Sequence, residues 1–196
     1  MTYQYSYEWF HLPSELRIIC PSCQKEATFQ FAKTIHIQGR KLQEFYENHP
    51  AFETKYLYDP YAYVHKFCAI FYPAFHLDPA QILQEIPENH KNFSQNASYI
   101  NNNQGTVTCI HCLTKRKHHL QWSQEAYYCI EYKGLVLWAP NRSIFQSIHD
   151  YIASKDRDRR KYGHYHSLLH LPQHFLTQNA RSTVIKKIKT FLITHK

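Results

Sequence analysis

Four of the chain's six cysteines stand in two C-x-x-C pairs, Cys20/Cys23 and Cys109/Cys112. A structural zinc ion takes four thiolate or imidazole ligands in a tetrahedron, and two such pairs supply all four. The two-residue spacer lets both sulfurs of a pair reach one ion while turn N–H groups point at them and ease their charge. A redox C-x-x-C needs one pair between a strand and a helix, and would leave the second pair unexplained. A four-thiolate site has no open coordination position, so it supplies folding energy rather than an activated water. Zinc is the expected cofactor. Cys68 and Cys129 fall on apolar faces and read as buried small residues.

The other residue types with chemistry to offer are cations and imidazoles. Lys115, Arg116 and Lys117 follow the second pair directly; Arg157, Arg159, Arg160 and Lys161 form a second cluster, diluted by Asp156 and Asp158; Lys186, Lys187 and Lys189 form a third. The first cluster is expected on an exposed hairpin tip. Such clusters suit phosphate contacts, with Trp122 or nearby Tyr residues for base stacking, and equally suit a solvated face. His164, His166, His170 and His174 lie close together, but Pro172 interrupts any helix between the last two and no nearby carboxylate completes a ligand set. A ββα-metal nuclease would use His118 or His119 as its base, with Asn141 and His149 in supporting roles; a hairpin stands where its helix should follow. Phosphate-loop, nucleophile-elbow and HExxH sequences are missing. No catalytic residue set is assigned.

These residues sit in a chain of 196, with 43% hydrophobic, 16% aromatic and 19% charged residues, a composition that places it among globular proteins. A net charge of +8 favours polyanionic partners. No apolar run approaches the ~18 residues needed to cross a bilayer. The opening MTYQYSYEWF lacks the basic and apolar regions of a secretory signal. The expected setting is the cytoplasm, where thiols stay reduced, with no membrane partner.

The elements that must position the cysteines read as hairpins. Leu16, Ile18 and Ile19 lead into the first pair, and Ala27, Phe29 and Phe31 alternate after it. Val107 leads into the second pair, and Leu120 and Trp122 alternate after a basic turn. A further hairpin turns at Lys133-Gly134 and ends at Pro140. Between the pairs, helices are expected around Leu42, Phe45 and Tyr46, then from Asp59-Pro60 through Val64, Phe67, Cys68 and Phe71, then from Asp78-Pro79 through Ile82, Leu83 and Ile86. Residues 88–105 read as a polar loop. Asn141 caps a helix carrying Ile144, Phe145, Ile148 and Ile152. A last helix begins near Asn179, with Val184, Ile185, Ile188, Phe191 and Leu192 as its apolar stripe.

At residues 16–31 and 105–122 the sequence resembles zinc-ribbon proteins, specifically ribbons split by an insertion. The GLVLWAPNRS and LPQHF segments are similar to the tail of bacterial proteins carrying such ribbons. The resemblance implies a fold, a zinc ion and a leaning toward nucleic acid. The expected fold is α+β in one domain over 1–196. It comprises a zinc ribbon from 9–32 and 105–140, extended by a β-hairpin, with a helical insertion at 33–104 and two helices in 141–196. The leading expectation is a non-enzymatic protein binding nucleic acid through its basic clusters. The alternatives are an adaptor that docks a partner protein on its aromatic insertion, and the nuclease.

Overall fold

The computed structural model describes residues 12–59, 62–76, 82, 84–86, 103–162, 164, 168–169 and 171–195. The fold is α+β. The chain divides into two compact units, one drawn from Met1–Phe29, Cys109–Thr114 and Gln121–Lys196, the other from Gln30–Thr108 and Lys115–Leu120.

In the first unit, β1 (Glu15–Ile19) and β2 (Glu26–Phe31) are neighbouring strands flanking the first cysteine pair. Leu16, Ile18, Ala27 and Phe29 are buried, as period-two alternation requires. The other edge of β1 is tied down by Arg17 N–H donating to Pro140 O at 2.7 Å and Ile19 N–H donating to Glu125 O at 2.8 Å. The hairpin expected at Lys133-Gly134 forms from β8 (Tyr128–Tyr132) and β9 (Leu135–Ala139), with Tyr132 opposite Leu135. Its two turn residues take φ of 52° and 75°. Positive φ at both is what a two-residue turn needs to match strand twist.

α2 (Arg142–Ala153) opens on Asn141, whose side chain accepts from Ile144 N–H at 2.9 Å. Its Ile144, Phe145, Ile148 and Ile152 are buried against Val184, Ile188 and Leu192 of the last helix. That helix spans Gln178–Thr194, beginning next to Asn179 as expected and capped by Thr177, and a four-residue helix α3 (Gln173–Leu176) precedes it; the last helix is α4.

The second unit departs from the sequence reading. α1 (Arg40–Asn48) forms as expected and buries Tyr46. The expected helix from Asp59-Pro60 through Phe71 is instead the central strand β5 (Val64–Phe71), paired antiparallel with β3 (Lys33–His36) and β4 (Phe52–Asp59). The insertion is therefore a sheet carrying a helix, not a helical segment. The cause is physical: Cys68, Ala69, Ile70 and Phe71 are buried consecutively. A strand covered on both faces shows an unbroken apolar run, which also satisfies helical spacing. Asp59 does not cap a helix. It closes a turn by accepting from Ala62 N–H at 3.2 Å, and it pairs with Lys66 at 2.5 Å.

α1 packs Tyr46 on Phe52, which meets Phe71, with centroids 5.0 and 5.5 Å apart. β6 (Gln104–Thr108) and β7 (Lys115–His119) form an antiparallel pair in this unit. Farther along the insertion, Ile82 and Gln84 are helical and Ile86 is buried. The expected start at Asp78-Pro79, Leu83, the polar loop up to residue 102, residues 9–11, His166 and His170 lie outside the described residues. No helix among the described residues is long and apolar enough to cross a membrane.

Candidate metal centre

The two cysteine turns are the same local structure made twice. In the first, Cys20 N–H donates to Lys25 O at 2.7 Å; in the second, Cys109 N–H donates to Thr114 O at 2.9 Å. In each, the residue after the second cysteine takes a left-handed conformation, Gln24 at φ 61° and Leu113 at φ 57°. That residue reverses the chain, so both sulfurs of a turn project to one side. Side chains there cost about 1 kcal/mol relative to glycine, and Leu113 is 85% exposed, so no packing compensates.

The four sulfurs lie within 4.8 Å of one another, 86 to 92 residues apart in sequence across the pairs that touch. Cys20 Sγ is 3.7 Å from Cys112 Sγ, and Cys23 Sγ is 3.6 Å from Cys109 Sγ. A tetrahedral ion with metal–sulfur bonds of about 2.3 Å requires sulfur–sulfur edges of about 3.8 Å. These two edges match that length, and all four sulfurs lie within reach of one ion. All four cysteines are free of disulfides. Cys20 and Cys109 are buried, Cys23 is half-buried and Cys112 is exposed. One side of the centre is thus sealed by protein and the other open to solvent.

The electrostatics fit a cation at the middle. Ser22 N–H points at Cys20 Sγ from 3.4 Å. Burial opposes ionisation of Cys20, but the Ser22 and Cys23 amides outweigh it, and the thiol is lowered. The Thr114 hydroxyl, 3.1 Å from Cys112 Sγ, and the Thr114 amide together lower Cys112 to about 6. Cys23 goes the other way. The Lys25 amide pulls it down, but burial and the three neighbouring sulfurs outweigh that and push it up to about 12. Sulfurs this close cannot all ionise against one another. A bound divalent ion removes that conflict and makes all four thiolates. The cluster could hold a metal ion such as zinc.

The basic residues are placed differently from the expected hairpin tip. Lys115, Arg116 and Lys117 lie on strand β7, all exposed. Alternation sets Lys115 and Lys117 on one face and Arg116 on the other. Lys115 Nζ stands 5.6 Å from the Phe75 ring centroid and Lys117 Nζ 4.8 Å from that of Tyr72, while Lys117 also pairs with Glu53. In the first unit, Arg160 pairs with Asp158 and Lys161 with Asp156, whereas Arg157 and Arg159 have no carboxylate partner among the described residues. Asn141 spends its carboxamide on capping α2, and His149 on that helix contacts Asp150 at 2.8 Å. Among the described residues the four cysteines are the one group of His, Cys, Asp or Glu arranged to hold a metal.

Sequence reasoning singled out the four cysteines that cluster here but missed the residues that support them. Gln24, Leu113 and Thr114 build the turns, and their signal is positional, one or two residues past each second cysteine. It also missed β4, although Phe52, Thr54, Tyr56 and Tyr58 alternate with Glu53 and Lys55. Comparison with known proteins adds no family: no family model matches the chain, and no curated protein or solved structure does either.

Proposed function

We propose that the protein is a non-enzymatic, cytoplasmic zinc protein of zinc-ribbon type that binds nucleic acid through its basic surface. The observation carrying this reading is the four-sulfur cluster at tetrahedral spacing. Cys20, Cys23, Cys109 and Cys112 would hold the ion, and the ion supplies folding energy by cross-linking two distant turns. With four thiolates in place no position remains for substrate, which favours a structural role. A net charge of +8 and the exposed Lys115, Arg116 and Lys117 support the nucleic-acid part. Fluorescence polarisation against DNA and RNA across a salt series tests it. Affinity near the micromolar range that falls steeply with salt is expected for backbone binding; no binding at low salt would end it.

The chain is further proposed to act as one domain, its ribbon drawn from 9–32 and 105–140. A single calorimetric unfolding transition is expected, and two separated transitions would contradict it.

A second reading is favoured by one observation. At the far end of the β4–β5 hairpin, Tyr56, Tyr58, Tyr63 and Val64 are exposed. An aromatic surface of this kind suits a protein partner as well as a base. A stoichiometric, nuclease-resistant partner lost on Tyr56→Ser with Tyr58→Ser would favour the adaptor.

A further inference from the structure

The segment following α2 concentrates charge where the fold has little else to do with it. A shallow concavity of about 400 Å³ is lined by Arg157, Asp158, Arg159 and Arg160. Its walls are charged, unlike the mostly apolar walls that enclose small organic ligands. The cations around it are not equivalent. Asp158 accepts from Arg160 Nε at 3.1 Å and from Nη2 at 3.5 Å, so that charge is matched. Asp156 matches Lys161.

Arg157 and Arg159 differ from these. Arg157 Nη1 donates to Leu176 O at 2.8 Å, a neutral acceptor that fixes the side chain without cancelling its charge. Arg157 also holds a φ of 35°, a conformation that L residues seldom adopt. Arg159 lies over the Tyr151 ring, 5.9 Å from its centroid. Its Nε is shielded from solvent and has no hydrogen-bond partner among the described residues. A buried donor with nothing to donate to is destabilising. Two held guanidinium groups without a carboxylate partner among the described residues, both lining an open charged hollow, form a receptor for a tetrahedral oxyanion.

We propose that Arg157 and Arg159 form a phosphate-binding site that takes a backbone phosphate of nucleic acid, while Asp156 and Asp158 neutralise Lys161 and Arg160 beside it. The proposal rests on the nucleic-acid reading and narrows it to a place. The openness of the hollow suits a phosphate carried on a strand that runs past, rather than a ligand swallowed whole.

The test is a salt series of polarisation titrations with a fluorescein-labelled oligothymidylate. It uses the full chain, its Arg157→Gln/Arg159→Gln form, and its Asp156→Asn form. Loss of this one phosphate contact should make the slope of log affinity against log salt shallower by about 0.7. Asp156→Asn frees Lys161 beside the hollow and should tighten binding by about threefold, a gain that misfolding cannot mimic. Zinc content and near-ultraviolet circular dichroism check that each variant is folded; if the double variant is not, Arg159→Gln alone should flatten the slope by about half that amount. A parent that binds, with variants of unchanged slope and affinity, overturns the site and leaves the nucleic-acid reading standing. A parent that fails to bind at low salt overturns both.

Discussion

The two units of this protein are closed by different means. In the unit with the sheet β3–β5–β4, apolar surface does the work: Tyr46, Phe52 and Phe71 contact in series beneath α1, with Ile35, Ile37 and Ala69 around them. In the cysteine-bearing unit, α2, α4 and the β8–β9 hairpin share a comparable core, but the cysteine turns do not. There Ile110 is 80% and Leu113 85% exposed, so the turns have no apolar cover of their own. The contrast teaches that a short turn carries too little apolar surface to close itself, which is where a metal held by the four cysteines would supply the missing folding energy.

The contrast can be broken from either side. The largest effect is expected from Cys20→Ser, which removes a fully buried ligand: zinc stoichiometry falls, and the protein is destabilised by more than about 4 kcal/mol. Thermal melting with zinc analysis measures both; retained zinc and an unchanged melt would dissolve the distinction. Next comes Phe71→Ala, which removes the fully buried ring at one end of the aromatic series. It should cost about 3–5 kcal/mol in chemical denaturation while leaving the metal content of folded protein unchanged. Loss of zinc from folded protein would mean the two modes of closure are not separate.

A smaller change of opposite sign is expected from Leu113→Gly. It relieves the left-handed backbone at φ 57° and sacrifices no buried contact, so it should stabilise by about 1 kcal/mol. A denaturation midpoint that drops would show that Leu113 makes a contact the account ignores. The smallest effect concerns His174, whose imidazole burial holds below its ordinary value of 6.5. The unfolded chain takes up the proton first. Above pH 6.5 the residue therefore costs nothing, and the cost grows as pH falls below 6.5 toward the folded-state value. His174→Phe should remove that slope from a stability-against-pH curve, and an identical slope in both proteins would contradict it.

Much of this was legible in the sequence where the signal is local. The paired cysteines, the Asn141 cap, the Lys133-Gly134 turn and the apolar stripe of α4 each announce themselves within a few residues, and each stands where expected. The errors arose where one pattern serves two structures. Asp59-Pro60 marks a helix start or a turn equally well, and the apolar run of β5 fits a helical face or a doubly covered strand. The five residues from Lys115 to His119 look like a loop by composition. They form a strand because β6 supplies the pairing, an influence from outside the segment.

The claim on which the rest depends is that four sulfurs serve one ion. Native mass spectrometry, paired with elemental analysis of protein purified without added metal, addresses it directly. The account predicts one zinc per chain, released on alkylation of the thiols; a folded chain with no bound zinc, or with Cys20 and Cys109 separately oxidised, would contradict it.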